Sequence, residues 1–310
     1  MLPSTPPAYS ATVTPRDLAL LFALGAMWGA SFLFNRVALN DLTPLVVVTA
    51  RVTLGALGLL AFALIARESG TSPAALIARW RDYLVLALFS AVFPYGLITT
   101  GQTVIPSGSA AILNATSPIF SAGLALLVLR GAADERLTGK RLAGLALGIA
   151  GVAALVIKPA EAPRVEASFL AITLGHTAVV LASACYAVAA LYIRVRMMGV
   201  SPMAISLGQT LVAAVLLLPV AIAVAGPVEV PGPAALAAVL ALGLLNTAVA
   251  YLIYYHLVKR AGATRALSVT YLQPATALVY GALLLTEPVT LSQLLGLGAI
   301  LSGVALATRR

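Results

Sequence analysis

Ten apolar stretches of 17 to 25 residues, separated by short polar connections, constrain the fold of this chain more than any other feature of its sequence. A helix needs about 20 mostly apolar residues to cross a bilayer, whereas a membrane β-barrel needs short strands in which apolar and polar residues alternate. With 61% hydrophobic and only 9% charged residues, the chain carries more apolar surface than a soluble core can bury. The sequence therefore predicts an all-α integral membrane protein with ten transmembrane helices. We number the stretches as segments 1 to 10: 18–35, 44–66, 83–101, 107–129, 141–157, 169–193, 203–225, 234–257, 264–285 and 290–308.

The distribution of positive charge predicts how the helices are oriented. An even number of spans places both termini on one side of the membrane, and 15 of the 19 Lys and Arg residues fall on that side. Only Arg36, Lys158 and Arg164 fall on the other side, and Arg51 lies inside segment 2. Because Lys and Arg concentrate in cytoplasmic loops, we expect a multi-pass protein of the bacterial inner (plasma) membrane with both termini in the cytoplasm. The same distribution accounts for the net charge of +9 without nucleic-acid binding.

The two halves of the sequence resemble each other weakly, which predicts an internal duplication. At an offset of 156 residues, Tyr95 aligns with Tyr251 and Pro118 with Pro274. Each half holds five spans, an odd number, so the second half enters the membrane from the opposite side. The sequence thus predicts a 5+5 inverted repeat, an arrangement in which transporters bind their substrate between the repeats near the midplane.

These observations divide the chain into three parts. Residues 1–17 are rich in proline and polar residues and are expected to form a disordered cytoplasmic tail, while 18–157 and 168–308 are the first and second five-helix repeats. The first apolar stretch carries no small-residue cleavage site, so we expect it to be retained as a helix. Because one chain supplies both repeats, we expect a functional monomer whose partners are the lipid bilayer and a small-molecule substrate.

Four stretches of the sequence carry a family resemblance. They are ALGAMWGASF in segment 1, the pattern TP…AR in segment 2, SAAILNATSPIF in segment 4 and ATRALSVTYLQPATALVYGALLLTE in segment 9. Over residues 18–308 the chain resembles the EamA family of the drug/metabolite transporter superfamily, and within it the YddG-type aromatic amino acid exporters. The resemblance implies ten helices in an inverted repeat, with a central cavity lined mainly by segments 1, 3, 4, 6, 8 and 9. The first repeat lacks a counterpart of Glu287, its nearest acids being Asp134 and Glu135.

An intramembrane enzyme is the alternative from another functional class. None of the ten Asp and Glu residues lies in the middle of a span, which argues against a pair of catalytic carboxylates. His176 and His256 are 80 residues apart and neither begins an HExxH motif, while a serine mechanism would require Ser109 to approach His176. A single cysteine, Cys185, and the lack of clustered metal-ligating residues predict neither a metal site nor a cofactor. We therefore expect a transporter.

The lack of carboxylates in the middle of the spans also bears on energy coupling. A proton gradient acts through a titrating group, and the candidates are His176, His256, Glu287 and Arg51. We interpret His176 as structural and His256 as interfacial, and expect water or a nearby cation to satisfy Glu287 at the end of its helix. Facilitated diffusion is therefore expected in place of obligatory proton antiport.

Arg51 is the one cation inside a predicted span, seven residues beyond Pro44 and thus about 10 Å from the start of segment 2. A charge at this depth costs on the order of 2.5–3.5 kcal/mol unless it is paired or reaches the interface. One interpretation is that the side chain extends to the outer interface or pairs with Asp41. The other is that Arg51 anchors a substrate carboxylate through two parallel hydrogen bonds.

Pro118 and Pro274 are predicted to lie in the middle of segments 4 and 9. Each removes a backbone donor and leaves the carbonyl one turn earlier, that of Asn114 or Thr270, without its helical partner. Inside a membrane such carbonyls must be met by side chains or cavity water. The two prolines are therefore candidates for a hinge or gate beside the substrate path, the alternative being a fixed kink that serves packing.

Aromatic and amide side chains in the expected cavity helices are the candidates for substrate binding. Their depth within the spans argues against a place in the interfacial belt of aromatic residues. A lining of uncharged aromatic, amide and hydroxyl groups suits zwitterionic or amphipathic solutes better than multivalent ions. The candidates are Trp28, Tyr95, Asn114, Tyr186, Tyr251, Tyr271 and Gln273.

These features predict a carrier that exports amino acids, aromatic or otherwise neutral, and related small metabolites by alternating access. The alternative within the same family is an uptake or drug-efflux carrier, because topology does not reveal the direction of transport.

Overall fold

The computed structural model describes residues 14–128, 139–157, 167–224, 230–261 and 267–308. All regular secondary structure in these ranges is helical. Among the described residues, six helices are long and apolar enough to cross a membrane, and three shorter apolar helices lie at 142–155, 269–284 and 291–306. These findings confirm the predicted all-α membrane class. The six long helices are Pro15–Ala38, Pro44–Ala66, Trp80–Gly101, Phe169–Arg196, Pro202–Val224 and Pro233–Val258.

Each of the ten apolar segments contains helix, and we keep the segment numbers for these helices. One further short helix, Pro73–Ala78, connects segments 2 and 3. The helices are Pro15–Ala38 (segment 1), Pro44–Ala66 (segment 2), Trp80–Ala87 and Phe93–Gly101 (segment 3), Ser107–Asn114 and Ser117–Val128 (segment 4), Gly139–Ile157 (segment 5), Phe169–Arg196 (segment 6), Pro202–Val224 (segment 7), Pro233–Leu240 and Ala250–Ala261 (segment 8), Gln273–Leu284 (segment 9) and Leu291–Thr308 (segment 10).

The first helix begins at Pro15, three residues before the predicted start at Leu18. The Thr14 hydroxyl accepts a hydrogen bond from the Asp17 N–H at 3.2 Å, and the Asp17 carboxylate accepts one from the Thr14 N–H at 3.0 Å. This reciprocal capping satisfies two of the donors that a helix start leaves open, and a proline suits the first position because it has no N–H. The rest of the predicted tail, 1–13, and the loop acids Asp134 and Glu135 lie outside the described residues.

Segments 3 and 8 are each interrupted by a stretch of π-helix, at Leu88–Val92 and Ala241–Val249. A π-helical turn holds an extra residue, which rotates the side chains that follow it relative to those before it, and such turns occur frequently at functional sites. Tyr95 and Tyr251 both follow these stretches closely. The two π-helical stretches therefore help to set the directions of two predicted site residues.

Segments 4 and 9 are broken near the two prolines that the sequence singled out. Pro118 lies in the first turn of the second helix of segment 4. Pro274 lies in the first turn of the segment 9 helix, which a 3-10 turn at Leu267–Tyr271 precedes. A proline in the first turn replaces an N–H that would have no helical partner. Each proline thus begins a new helix, whereas the sequence predicted a bend within a continuous one.

Eight of the segments pack into two groups. Segments 1, 2, 8 and 9 form group A, in which segment 1 lies against segments 8 and 9, and segment 2 lies against segment 8. Segments 3, 4, 6 and 7 form group B, in which segment 6 lies against segments 3 and 4, and segment 3 lies against segment 7. Segments 2 and 7 pack across the boundary between the groups. Segments 5 and 10 pack side by side through small residues such as Gly148 and Gly303, which let the backbones approach closely.

The two ends of the bundle are marked by two ion pairs. We call near face the end that holds Asp17 and Arg260, whose charged groups lie 3.2 Å apart. We call far face the end that holds Arg36 and Glu287, whose charged groups lie 3.8 Å apart. Segment 1 runs from the near face to the far face, so its residues lie between these two pairs.

Candidate functional site

Arg51 is buried in the interior between segments 1, 3 and 8. The residue is only 6% exposed. Its Nε donates to the Thr247 hydroxyl at 3.2 Å, and an Nη donates to the Ser31 hydroxyl at 3.5 Å. The guanidinium carbon lies 4.0 Å from the centre of the Tyr95 ring, a cation–π distance. No Asp or Glu in the described ranges forms an ion pair with Arg51, and three of its five N–H donors have no acceptor there.

The first interpretation of Arg51, that it reaches the interface or pairs with Asp41, is wrong. The Asp41 carboxylate instead accepts a hydrogen bond from the N–H of Gly232 at 2.7 Å. The Arg51 side chain is buried, and its partners are the hydroxyls of segments 1 and 8 and the face of Tyr95.

The π-helical stretch of segment 8 supplies the polar support for Arg51. The Thr247 hydroxyl donates to the carbonyl of Leu242, five residues earlier, at 2.9 Å, which leaves its oxygen lone pairs free to accept from the guanidinium. The neighbouring Asn246 amide donates to the carbonyl of Met27 and to the Ser31 hydroxyl. These bonds fix segment 8 to segment 1 and hold both hydroxyls that Arg51 uses.

A chain of hydrogen bonds connects Tyr95 and Tyr251 with segment 7. The hydroxyls of the two tyrosines lie 3.5 Å apart. Gln209 donates through Nε2 to the Tyr251 hydroxyl at 3.2 Å, and its Oε1 accepts from the Ser90 hydroxyl at 2.6 Å. Ser90 lies in the π-helical stretch of segment 3, a few residues before Tyr95. The chain therefore orients both tyrosine hydroxyls and links them to group B.

Trp28 and Tyr186 extend the aromatic surroundings of this site. The Trp28 ring lies edge-on to Tyr251, with centroids 6.4 Å apart and an interplanar angle of 78°, a favourable aromatic geometry. Tyr186 packs against the apolar cluster that contains Tyr95. The structure thus brings together Arg51, Trp28, Tyr95, Tyr186 and Tyr251, which we call the Arg51 cluster.

Asn114 lies at the break in segment 4, where it faces segment 6. Its backbone carbonyl accepts hydrogen bonds from the hydroxyls of Ser117 at 2.8 Å and Ser183 at 3.4 Å. Side chains therefore satisfy the carbonyl that loses its helical partner to Pro118, as membrane burial requires. The side-chain Oδ1 of Asn114 is buried and has no hydrogen-bond partner among the described residues.

Tyr271 and Gln273 lie where segment 9 meets segment 1. Tyr271 packs against the same apolar cluster as Tyr186, which connects it to the Arg51 cluster through apolar contacts. Gln273 approaches Gly29 closely with its backbone, because a Cβ added at Gly29 would lie 2.9 Å from the Gln273 carbonyl oxygen. Within the described part of the chain, the Gln273 side chain forms no hydrogen bond. The structure therefore leaves Gln273 and Pro274 outside the hydrogen-bonded surroundings of Arg51.

Five polar residues of the site were not predicted from the sequence. Two of them could have been predicted, because an amide side chain in the middle of an apolar segment must find a hydrogen-bond partner when it is buried. The other three are hydroxyl residues, which helices often accommodate by bonding to their own backbone, so their presence in a segment carries little information. The amides are Gln209 and Asn246, and the hydroxyl residues are Ser31, Ser90 and Thr247.

A separate cleft of about 370 Å³ lies at the near face, where the connections after segments 2 and 6 meet. It is lined mostly by small residues, together with Arg79, Tyr83 and Met198, and includes none of the predicted site residues. We place the candidate site at the Arg51 cluster because five of the predicted site residues meet there.

The chemistry of the Arg51 cluster suits binding of a small solute. It offers one guanidinium, several aromatic faces and neutral amide and hydroxyl groups. A guanidinium binds a carboxylate through two parallel hydrogen bonds, and aromatic faces bind apolar or aromatic groups. In the described ranges no three His, Cys, Asp or Glu side chains are grouped as a metal ion would require.

Fold and contacts together define a class of protein, a helical membrane protein whose candidate site lies between segments of both halves of the chain. A family model described as the EamA-like transporter family matches residues 17–157 and 173–309. The chain belongs to this family, and the two matched ranges establish its two-repeat organisation. The family predicted from the sequence is thereby confirmed.

The chain is also similar to proteins that carry transporter names. A "Probable terminal-alkyne amino-acid exporter" of Streptantibioticus cattleyicolor is 29% identical over 75% of this chain and 75% of that protein. An "Uncharacterized inner membrane transporter YedA" of Escherichia coli K12 is 25% identical over 93% of this chain and 89% of YedA. One crystal structure shares the fold with a TM-score of 0.64 at 20% identity, over 96% of this chain and 97% of the other. These names favour a transporter over an enzyme.

Proposed function

We propose that the chain is a carrier that exports amino acids and related small metabolites by alternating access. The observation that carries this proposal is the buried Arg51 guanidinium, which has three open donors and no acidic partner among the described residues. A buried charge without an oppositely charged partner is costly, so such a charge is expected where a charged ligand binds. A substrate carboxylate would accept two parallel hydrogen bonds from this guanidinium.

The surroundings of Arg51 favour a neutral substrate side chain, and above all an aromatic one. The rings of Trp28, Tyr95 and Tyr251 offer faces and edges on which an apolar or aromatic side chain can pack. The tyrosine hydroxyls offer acceptors for an amino group. The buried Oδ1 of Asn114, at the break in segment 4, is a further acceptor outside the Arg51 cluster. The relative whose name specifies amino-acid export agrees with this substrate class.

Ten membrane crossings in a 5+5 inverted repeat would account for the packing of the segments. If segments 1 to 5 correspond to segments 6 to 10, the packing of segment 1 on 8 and 9 has its counterpart in that of segment 6 on 3 and 4. The packing of segment 2 on 8 likewise corresponds to that of segment 7 on 3. Segment pairs 2 and 7, 4 and 9, and 5 and 10 map onto themselves, as pairs on a two-fold axis do. The π-helical stretches and the proline breaks support the same correspondence.

We assign the near face to the cytoplasm and the far face to the outside of a bacterial inner membrane. The near face holds Arg79, Arg196 and Arg260, each close to an acidic residue of the same face. Clustering of Arg and Lys on one side is the feature that orients membrane proteins. Because one chain holds both repeats, the monomer is the proposed transport unit.

Cysteine labelling tests this topology. We expect single cysteines introduced near Arg79, Arg136, Arg196 or Arg260 to resist a membrane-impermeant thiol reagent applied to intact cells, in a Cys185→Ser background. Cysteines near Arg164 or Glu229 should react. The matched control is labelling after permeabilisation, which should make all sites reactive. The reverse pattern in intact cells would refute the assignment of the faces.

Counterflow in proteoliposomes tests the proposed function. Vesicles loaded with an unlabelled amino acid should accumulate the labelled one from outside without an imposed pH gradient, because no carboxylate lies in the middle of a span to couple protons. A panel of aromatic, aliphatic, acidic and basic amino acids, together with cationic drugs, identifies the substrate class. Transport that vanishes without a pH gradient and returns with one would refute facilitated diffusion, and transport of the drugs alone would replace the proposed substrate.

Variants at the predicted amides and tyrosines test the extent of the site. We expect Asn114→Ala to weaken transport about 10- to 100-fold, the effect of losing a hydrogen bond of about 1.5–3 kcal/mol to a charged group. The same loss in Gln273→Ala would extend the substrate path beyond the Arg51 cluster to segment 9. Tyr95→Ala and Tyr251→Ala should change the preference among substrate side chains more than the yield of folded protein. Apparent affinities from counterflow, with exposed Thr177→Ala as the control, measure these effects. Parental transport in all four variants would place the substrate path elsewhere.

A further inference from the structure

The far face is closed by a carboxylate that connects the two groups of segments. Glu287, which follows segment 9 of group A, accepts hydrogen bonds from the N–H of Ser107 at 3.0 and 3.1 Å. It also accepts one from the Ser107 hydroxyl at 2.5 Å and one from the N–H of Gly108 at 3.4 Å. Ser107 begins segment 4 of group B, so Glu287 caps a helix of the other group, whose open N–H donors favour a negative charge.

Segment 1 adds a second set of bonds between the groups at the same face. Arg36 of group A donates to the backbone carbonyls of Gln102 and Ile105, which lie between segments 3 and 4 of group B. Within group A, its ion pair with Glu287, at 3.8 Å, holds the two side chains together beside that boundary. The Gln102 side chain accepts from Asn35 at 3.1 Å and donates to the carbonyl of Phe32 at 2.9 Å. Arg36 is 5% exposed and Gln102 is fully buried, so water does not compete for these bonds.

At the near face, the polar pairs connect residues of the same group. Among pairs in which both residues are described, the Asp17–Arg260 ion pair and the bond from the Tyr255 hydroxyl to Glu68 lie within group A. The bond of 2.7 Å from the Tyr192 hydroxyl to Asp82 lies within group B. The hydrogen bonds of Glu287, Arg36 and Gln102 therefore cross between the groups at the far face, whereas these near-face pairs stay within one group.

Segments 4 and 9 follow the same asymmetry. The far half of segment 4, Ser107–Asn114, packs against the helix of segment 9. The near half of segment 4 packs instead on segments 6 and 10, and the 3-10 turn that precedes segment 9 packs on segment 1. The two segments thus approach each other at the far face and take different neighbours towards the near face.

We infer that Glu287, Arg36 and Gln102 form the far-face gate of the transport cycle, and that this structure has the gate closed. The inference rests on the alternating access proposed above. Ser31, a partner of Arg51, precedes Arg36 by five residues on segment 1, or about 7.5 Å along the helix. The gate therefore lies directly on the far-face side of the Arg51 cluster. A substrate bound to Arg51 leaves through the far face only when Glu287 releases segment 4.

Spin-label distances measured without substrate test the gate. In a Cys185→Ser background, one label pair at Phe169 and Val289 reports on the far face, and another at Ile65 and Met198 reports on the near face; all four sites are well exposed. Glu287→Gln removes the ion pair and the charge from the cap. We expect this variant to lower the ratio of molecules with a closed far face to molecules with an open far face at least about tenfold. That is the effect of losing one charge-assisted hydrogen bond. Far-face distances should lengthen and near-face distances should shorten, and Arg36→Gln should act in the same direction.

Asp41→Asn is the matched control for this experiment. Asp41 is another far-face carboxylate that accepts a backbone N–H, but its partner Gly232 lies in the connection to segment 8, within group A. We expect this variant to keep the parental distances. If Glu287→Gln does not fold, Ser107→Ala, which removes only the hydroxyl donor, should give a smaller shift in the same direction. Unchanged distances in the folded gate variants would overturn the gate, while a failed flux assay would overturn only the proposed substrate.

Discussion

Arg51→Gln should reduce the apparent affinity for an amino acid substrate at least about 100-fold while leaving a folded protein in the membrane. Two charge-assisted hydrogen bonds to a carboxylate are lost, and each is worth about 1.5–3 kcal/mol, or at least about tenfold in affinity. Arg51→Lys should keep the charge but lose the two-pronged geometry, and should fall between the parent and Arg51→Gln. Counterflow in proteoliposomes measures all three proteins. Exposed Arg81→Gln is the matched control and should transport like the parent.

A substrate analogue separates loss of the carboxylate contact from general damage to the site. The parent should strongly prefer an amino acid over the corresponding amino alcohol, which lacks the carboxylate. In Arg51→Gln this preference should nearly vanish, because the partner of the carboxylate is gone and the aromatic contacts remain. If the variant retains the parental preference, the carboxylate binds elsewhere and Arg51 serves only to connect segments 1, 2 and 8.

Gly303→Leu should destabilise the protein by more than about 3 kcal/mol, beyond the usual range for overpacking. A Cβ added at Gly303 would lie 2.6 Å from the carbonyl oxygen of Gly144 and 2.7 Å from the backbone nitrogen of Gly148. Both neighbours are backbone atoms of segment 5, so no side-chain rotation relieves the contact. Segment 10 would have to move away from segment 5, and the two pack closely along their length. The loss should appear as a lower thermal unfolding midpoint of the purified protein.

Gly298→Leu provides the control in the same helix. A Cβ at Gly298 meets no atom within 4 Å, and the residue is exposed on the outer surface of segment 10. Replacing glycine there removes backbone freedom from the unfolded chain and improves helix propensity, so stability should be unchanged or slightly raised. Equal unfolding midpoints for the two variants would refute tight packing of segments 5 and 10.

The sequence by itself determined the membrane class, the apolar segments and the family. These properties follow from hydropathy summed over consecutive residues and from local motifs, so no knowledge of packing is needed. The predicted start of the first helix lies within three residues of the observed start. The capping residues Thr14 and Asp17 are the sequence feature that indicates the earlier start. Local sequence also marked Trp28, Tyr95, Tyr186 and Tyr251, which the structure brings into one cluster, because aromatic residues deep in a span stand out from their neighbours.

Only the tertiary structure decided what these residues contact. Arg51 was correctly placed within segment 2, yet its partner Thr247 lies 196 residues away and is presented by a π-helical stretch that hydropathy does not reveal. Glu287 was expected to find water or a nearby cation, and the structure supplies Arg36 together with the start of segment 4, about 180 residues away. The apolar length of a segment is read from consecutive residues of the sequence. Hydrogen bonds of about 3 Å between segments depend instead on which helices pack together and on how each helix is rotated. One extra residue in a helical turn changes that rotation, and the identity of a buried partner changes with it.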